Sequence, residues 1–328
     1  MSSLSSASSP ARWPRRFLVA LLLPLVLLGA KQCVRGETAG SGLLQFGGYA
    51  DSGVWNDRQA LGVNRLFAWA DLEPQEGVYD WSEFDDLLRI AHDSGKKLVP
   101  RVYTNAGTYG QATPDWVFDA GAESYHSDDG DTPRQPVPTD AVFTRKFSEF
   151  IFAMGERYDA NPNIEFIQTN AGMGGFGEMV WGYPEYMRPP GWSPAMQIAT
   201  TQHWIDLWRR AFPRTQLAFM ENFLGYYIAE TVSQYAVDRG YYLQANSPYQ
   251  SPESQAILRA HAQETRIIME VEDAGCRSAT GADFDAMIAT VFDYGFPIDY
   301  LAVCGESFND DARMTVAYFG LRHDGPHG

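Results

Sequence analysis

The strongest constraint on the fold is a regular alternation of short apolar segments with longer amphipathic ones, which begins near Leu43. Eight of the apolar segments are rich in aliphatic, β-branched and aromatic residues, as β-strands are. They read LLQFGGYA, VNRLFAWA, KKLVPRVYT, IEFIQTNAG, TQLAFMEN, YYLQANS, RIIMEVED and DYLAVCGES. Strands separated by single helices pair in parallel through right-handed crossovers, so eight such units predict a single-domain (β/α)8 TIM barrel. An open doubly wound sheet is less favoured, because no G-x-G-x-x-G motif follows the first strand.

Two of the intervening segments carry explicit helix signals. In DWSEFDDLLRIAHDSG, we predict Ser82 as the N-cap, Asp85 as the acid of a capping box and Gly95 as the residue that ends the helix. FTRKFSEFIFAMGERYDANP spaces its large apolar residues for a single buried face. That face would comprise Phe143, Phe147, Phe150, Ile151, Met154 and Tyr158.

The amino-terminal segment has the pattern of an export signal. Three arginines, at positions 12, 15 and 16, precede an apolar run from Phe17 to Ala30. This run is shorter than the roughly 20 residues of a typical transmembrane helix, which favours a signal peptide over a signal anchor. We therefore expect a signal peptide or anchor over residues 1–36 and a barrel catalytic domain over 37–328. The protein would be secreted or periplasmic, or alternatively membrane-anchored by this segment.

The charge balance limits the possible partners. The chain of 328 residues has 25 Lys and Arg against 41 Asp and Glu, a formal net charge of −16. Such an acidic surface repels phosphate backbones and anionic lipids, so we expect no nucleic-acid partner and no stable membrane association unless the amino-terminal segment is retained. The six histidines lack metal-site spacing, and we predict neither a metal nor a cofactor. The oligomeric state is left open.

Polar and aromatic residues cluster where the predicted strands end. Active sites of (β/α)8 barrels are built at the carboxyl ends of the strands, so these side chains would converge on one mouth. We expect the following residues to bind substrate: Arg65, Trp69, Arg101, Asn170, Trp181, Glu221, Asn246 and Glu306. No lysine stands at a strand end to form a Schiff base, which argues against an aldolase-type barrel, although a lyase is a further alternative.

Three carboxylates are candidates for catalysis. Cleavage of a glycosidic bond requires one carboxylic acid that protonates the leaving oxygen and one carboxylate that attacks or activates water. Glu178 follows the fourth strand in AGMGGFGEMVWG, and its apolar, aromatic neighbours would favour the protonated form. Glu270 and Glu272 end the seventh strand on the same face, so strand periodicity does not choose between them as the nucleophile.

The segment RLFAWADLEPQEGVYDWSEFDDLLRIAHDSGKKLVPRV resembles the second-to-third strand region of clan A (β/α)8 glycoside hydrolases, in particular a branch similar to beta-galactosidases and related uncharacterised bacterial barrels. PDWV, ERYDANPNIEFIQT and GGFGEMVWG resemble later motifs of that superfamily, and IIMEVEDAG resembles its seventh-strand glutamate segment. The resemblance implies a retaining glycosidase that acts on a carbohydrate, with Glu178 as acid/base and Glu270 as nucleophile.

The sequence departs from this pattern after the fourth strand. The acid/base of the superfamily directly follows an asparagine, whereas here Asn170 is followed by Ala171. Either the glycine-rich loop returns Glu178 to the same place, or the acid is absent and the barrel binds carbohydrate without hydrolysis. A disulfide between Cys276 and Cys304, which follow neighbouring strands, is a further prediction of the barrel order.

Overall fold

The eight predicted strands all form and close into one parallel barrel. The computed structural model describes residues 42–104, 110–126, 134–169, 188–221, 226–271 and 281–304. Each strand pairs with its neighbours in sequence, and the first pairs with the last. The strands are β1 (Gly42–Phe46), β2 (Ala60–Ala68), β3 (Lys97–Tyr103), β4 (Ile167–Thr169), β5 (Leu217–Met220), β6 (Tyr242–Asn246), β7 (Ile267–Val271) and β8 (Tyr300–Cys304).

In the described ranges, six helices of ten or more residues lie between the strands. They are α1 (Ser82–Ser94), α2 (Ala141–Tyr158), α3 (Pro194–Ala211), α4 (Tyr226–Val237), α5 (Pro252–His261) and α6 (Gly281–Phe292). Shorter helical turns occupy Gly53–Asn56, Trp69–Leu72 and Asp115–Asp119, and a two-stranded antiparallel ribbon joins Ser124–Tyr125 to Gln135–Pro136. Among these described residues, no helix has both the length and the apolarity needed to cross a membrane.

The end of α1 confirms the sequence prediction, but its beginning does not. Gly95 adopts a left-handed conformation with φ of +68° and ends the helix, as glycine does at this position. Ser82, however, lies inside the first turn, and its backbone N–H and hydroxyl both donate to Asp80 at 3.0 and 2.6 Å. Asp85 accepts a hydrogen bond from Tyr158 at 2.7 Å instead of completing a capping box. The side chain that stabilises this helix start therefore comes from two residues before it.

The predicted apolar face of α2 is buried against the barrel and α3. All six of its large residues are almost completely excluded from solvent. Asp140 caps the helix by accepting a hydrogen bond from the backbone of Phe143 at 2.8 Å. On the neighbouring turn, Gly155 lies so close to α3 that a Cβ atom would be 2.3 Å from the carbonyl oxygen of Ala211. The two helices can approach this closely only because position 155 has no side chain.

The barrel interior is apolar toward one end and polar toward the other. Leu44, Val99, Phe166, Ile268 and Tyr300 belong to a cluster that fills the interior, separate from the larger core between the strands and the helices. A barrel of eight strands is filled by its own side chains in this way and contains no pore. The polar side chains come from positions nearer the carboxyl ends of the strands, where a site is expected.

Cys304, the last residue of β8, forms a disulfide. Cys33 and Cys276 both lie outside the described residues. The pairing of Cys304 with Cys276 therefore stays a prediction.

Candidate active site

An ion pair between Arg101 and Glu270 crosses the interior of the barrel. Nη2 of Arg101, on β3, donates to Oε1 and Oε2 of Glu270, on β7, at 2.9 and 3.0 Å. Both side chains are essentially inaccessible to solvent. A buried carboxylate is tolerated only when it is paired and hydrogen-bonded, and Arg101 satisfies both conditions. The pair fixes the position and orientation of the Glu270 carboxylate.

Amide side chains extend this ion pair into a network. Nε of Arg101 donates to Oε1 of Gln168 at 2.7 Å, and the same oxygen accepts from Nδ2 of Asn64 at 2.6 Å. Nε2 of Gln168 in turn donates to Oε1 of Gln244 at 2.5 Å. The network thereby links β2, β3, β4 and β6 across the interior, and β7 through Glu270.

Gln244 connects this network to two of the predicted site residues. Its Nε2 donates to Oε2 of Glu270 at 3.2 Å and to Oδ1 of Asn246 at 3.0 Å. Three of the predicted residues, Arg101, Asn246 and Glu270, therefore lie together in one network. The amides of Asn64, Gln168 and Gln244 were not predicted as members of the site. The sequence feature that could have identified these three residues is an amide side chain at an inward-facing position of an otherwise apolar strand.

A cavity of about 220 Å³ opens at the carboxyl ends of β1, β2 and β3. Phe46 and Tyr103 line it, and the Phe46 ring centroid lies 5.8 Å from the guanidinium carbon of Arg101. Arg65 and Glu83 also line this cavity. It provides a volume for small polar molecules on the side of the barrel where chemistry is expected.

Glu221 is buried at the carboxyl end of β5 beside the first turn of α5. It is 2% exposed, and the Ser254 hydroxyl donates a hydrogen bond to its Oε1. Burial raises the pKa of Glu221 to about 7, and the hydrogen bond from Ser254 opposes part of that increase. Its backbone N–H donates to the carbonyl oxygen of Gln244 at 3.0 Å. The Glu221 side chain thus supports the first turn of α5, and its described side-chain hydrogen bond does not involve the side chains of the Glu270 network.

Trp69 was expected to bind substrate at the mouth of the barrel, but it does not line the mouth. Its indole is completely buried, and the ring centroids of Phe147 and Trp116 lie 5.0 and 5.8 Å away. Its Nε1 donates to Oε2 of Glu73 at 2.8 Å, and Oε1 of Glu73 accepts from the backbone of Gly77 at 2.9 Å. Trp69, which was predicted to bind substrate from its place at the end of a strand, therefore stabilises the chain after β2 together with Glu73 and Gly77. In this position the indole cannot stack on a sugar.

Arg65 lies at the rim of the barrel, facing away from the interior. Its Nε and Nη2 donate to Oε1 of Glu83 at 3.0 and 2.7 Å, and its guanidinium carbon is 4.1 Å from the ring centroid of Tyr49. Arg65 is therefore a residue of the cavity wall and does not contact the Glu270 network.

The remaining predicted residues lie outside the described part of the chain: Asn170, Glu178, Trp181, Glu272, Glu306 and Cys276. In the part that the structure describes, no three histidine, cysteine or acidic side chains are arranged to hold a metal ion.

The matches to known proteins concentrate on the segment from β2 to β4. The glycoside hydrolase family 42 model, described as beta-galactosidase, matches residues 59–179, which include β2, α1, β3, α2 and β4. Residues 59–179 are therefore similar to a family of the clan A (β/α)8 glycoside hydrolase superfamily. The resemblance of the second-to-third strand segment to this superfamily is thereby confirmed.

Curated relatives of this superfamily match over about a third of the chain. Beta-galactosidase BgaB of Geobacillus sp. (strain Y412MC61) is 26% identical over 122 residues, which are 34% of this chain and 17% of the relative. An Arthrobacter sp. beta-galactosidase is 31% identical over 116 residues, which are 32% of this chain and 16% of the relative. The matched region is thus about one sixth of the length of these relatives.

Solved structures show the same fold over most of the chain. Native xylanase 10B from Thermotoga maritima has a TM-score of 0.53 at 9% identity, covering 86% of this chain and 93% of that one. Xylanase XynB from Paenibacillus barcinonensis, complexed with a conduramine derivative, has a TM-score of 0.52 at 12% identity, covering 82% and 88%. At these identities the likeness concerns the barrel fold alone.

Proposed function

We propose that this chain hydrolyses O-glycosidic bonds by a retaining mechanism, with Glu270 as the nucleophile and Glu178 as the acid/base. The observation that carries the proposal is the Glu270 carboxylate, which Arg101 and Gln244 hold at the carboxyl end of β7. Because the curated relatives are beta-galactosidases, a β-galactoside is the first substrate to test.

In this mechanism Glu178 protonates the glycosidic oxygen while an oxygen of Glu270 attacks the anomeric carbon. The bond to the leaving group breaks and an ester forms between Glu270 and the sugar. Glu178 then removes a proton from water, which attacks the anomeric carbon and releases Glu270 as a carboxylate. Arg101 and Gln244 would fix the carboxylate before attack and stabilise its charge when it is released.

Glu272 is the alternative nucleophile, because it comes two residues after Glu270 in the sequence and strand periodicity does not choose between the two. Glu270 is completely buried, so a sugar must reach it through the groups that cover it. If Glu272 is the nucleophile, the Arg101–Glu270 pair would support the site from the barrel interior without contacting the sugar.

The experiment compares the wild type with Glu178→Ala, Glu270→Ala and Glu272→Ala on aryl β-galactosides. Loss of general acid catalysis typically costs about 10²–10⁴ in rate, and we expect Glu178→Ala to lose least on substrates with a good leaving group. Azide should restore turnover to the nucleophile variant and give a glycosyl azide of inverted configuration. Rescue of Glu272→Ala in place of Glu270→Ala would refute the assignment of Glu270.

The second candidate function is a carbohydrate-binding barrel without hydrolysis, which the replacement of the usual Asn-Glu pair by Asn170 and Ala171 favours. Saturable binding of galactosides by the wild type without turnover of any aryl glycoside would support it and refute the proposed enzyme.

We also propose that the chain is exported, on the basis of the amino-terminal signal pattern. Amino-terminal sequencing of the protein isolated from culture medium, periplasm and membranes tests this proposal. Cleavage before the barrel identifies a signal peptide, and an intact terminus in the membrane fraction identifies an anchor.

A further inference from the structure

Tyr49 projects from the rim of the barrel between two cavities. It follows β1, and 54% of the residue is exposed. The cavity of about 220 Å³ at the ends of β1, β2 and β3 lies against Tyr49 and Glu83, and a second cavity of about 410 Å³ is lined by the same two residues. An exposed aromatic side chain bordered by two cavities presents apolar surface to whatever occupies them.

The backbone around Tyr49 is held rigidly. Its N–H donates to Oγ of Ser52 at 2.7 Å, and its carbonyl oxygen accepts from Nε1 of Trp55 at 2.7 Å and from the N–H of Ser52 at 3.1 Å. Trp55 is itself buried in the core. Binding a ligand on this ring would therefore require little further ordering of the chain, which lowers the cost of association.

One face of the Tyr49 ring lies against the guanidinium group of Arg65, which forms an ion pair with Glu83. The guanidinium carbon of Arg65 is 4.1 Å from the ring centroid. Nε and Nη2 of Arg65 both donate hydrogen bonds to Oε1 of Glu83. Within the described residues, Nη1 of Arg65 and Oε2 of Glu83 have no hydrogen-bond partner. The pair thus offers a free donor and a free acceptor beside an open aromatic face.

The chemistry of this surface matches a pyranose ring. A sugar presents a face of C–H groups that packs on an aromatic ring and neighbouring hydroxyls that both donate and accept hydrogen bonds. The first cavity continues to Phe46, which contacts Arg101, the partner of Glu270. A sugar on Tyr49 would therefore lie at the rim of the barrel, separated from Glu270 by Phe46 and Arg101.

The charges around the two cavities select among sugars. Asp51, Asp71, Glu83 and Asp86 line them, and within the described part of the chain Arg65 is the one basic residue in their walls. This excess of negative charge repels carboxylated sugars such as uronic acids.

We propose that Tyr49, Arg65 and Glu83 form a subsite for a neutral sugar unit of an oligosaccharide, apart from the unit whose bond is cleaved. The inference rests on the proposed glycosidase function and extends it to substrates longer than a single glycoside. Tyr49 supplies the stacking surface, and Arg65 and Glu83 bind the hydroxyl groups.

The first test measures binding to the full chain carrying Glu270→Gln, so that no substrate is consumed. The probes are β-1,4-linked galacto-oligosaccharides from disaccharide to hexasaccharide, with xylo-oligosaccharides as a second neutral series and oligogalacturonides as the acidic series. We expect the Kd of one neutral series to fall with length. Adding Tyr49→Ala should weaken the longer members about tenfold, equivalent to about 1.4 kcal/mol. The acidic series should bind more weakly than that neutral series.

Two variants separate stacking from folding. Tyr49→Leu keeps an apolar side chain but removes the aromatic face, and it should weaken binding as Tyr49→Ala does. Phe152→Ala is the matched control, because Phe152 is an exposed aromatic residue on α2 and not in the cavity walls. It should leave the Kd of every oligosaccharide unchanged. Equal binding by wild-type and both Tyr49 side-chain variants would overturn the proposal.

The second test measures turnover in the chain with Glu270 intact. Tyr49→Ala should lower the ratio of kcat/KM for a tetrasaccharide to kcat/KM for an aryl monosaccharide about tenfold. An unchanged ratio in an active enzyme refutes the subsite and leaves the glycosidase proposal standing. Length-dependent binding that requires Tyr49, in a chain without turnover, refutes the glycosidase and leaves the subsite standing.

Discussion

Glu221 should make the stability of the protein depend on pH, and Glu221→Gln should remove that dependence. The Ser254 hydroxyl has one proton but lies within hydrogen-bond distance of two acceptors, Oε1 of Glu221 and Oε1 of Gln250, the latter at 2.8 Å. The Gln250 oxygen must face Ser254, because its Nε2 donates to the carbonyl oxygens of Asn246 and Ser247 at 2.5 and 2.7 Å. A protonated Glu221 resolves this conflict by donating to Ser254, which then donates to Gln250.

The magnitude follows from the pKa of Glu221, which burial raises from 4.5 to about 7. A difference of about 2.5 pKa units between the unfolded and folded states corresponds to about 3 kcal/mol. Because the folded state binds the proton more tightly, this stabilisation is complete below about pH 4.5 and is lost as the pH rises through about 7. The wild type should therefore lose about 3 kcal/mol through this group between pH 4.5 and pH 8.

The assay is urea unfolding of the oxidised protein at pH 5 and pH 8. Glu221→Gln keeps a donor to Ser254 at every pH. Between pH 5 and pH 8 its free energy of unfolding should therefore fall by about 2.5 kcal/mol less than that of the wild type. Glu230→Gln is the matched control, since Glu230 is exposed on α4, and it should follow the wild type. Identical pH dependence in wild type and Glu221→Gln would mean that Glu221 is ionised when folded, and the reasoning would be refuted.

Three further predictions concern packing and covalent structure. Arg101→Met leaves the buried Glu270 unpaired and should lower the free energy of unfolding by about 3–5 kcal/mol, whereas adding Glu270→Met should recover most of it; equal losses in the single and double variants, measured in urea, would contradict this. Gly155→Ala forces a methyl group against the carbonyl oxygen of Ala211 and should cost about 1–3 kcal/mol, seen as a lower Tm; an unchanged Tm would show that α2 and α3 separate freely. Peptide mapping without reductant should join Cys304 to the peptide that follows β7, and a link to the amino-terminal peptide would refute the predicted pairing.

The sequence predicted the barrel well because strand identity depends on local composition and on the order of the elements. All eight strands and the buried face of α2 are as expected. The predicted N-cap of α1 is wrong because capping depends on the backbone conformation of single residues. Asp80 provides the acceptor, and composition alone does not distinguish its position from that of Ser82.

The site was harder to predict because the inward or outward direction of a side chain changes where a strand ends. Trp69 would follow β2 at the rim, but the helical turn that starts at Trp69 carries its indole into the core. Arg101 and Glu270 were identified as separate candidates, yet their direct contact spans 169 residues of sequence, and only the closed barrel brings them together. Local patterns specify each residue type, whereas the pairing depends on the register of the strands.

The hydrogen bonds of the amide network all run in one direction across the barrel interior. Asn64 donates to Gln168, Gln168 to Gln244, and Gln244 to Glu270, so every one of these bonds points toward the same carboxylate. If a sugar ester forms on Glu270, that terminal acceptor weakens and the polarisation of the whole chain of amides relaxes. The side-chain amide resonances of Asn64, at the far end and on a different strand, would then act as an internal spectroscopic reporter of whether Glu270 is free or glycosylated.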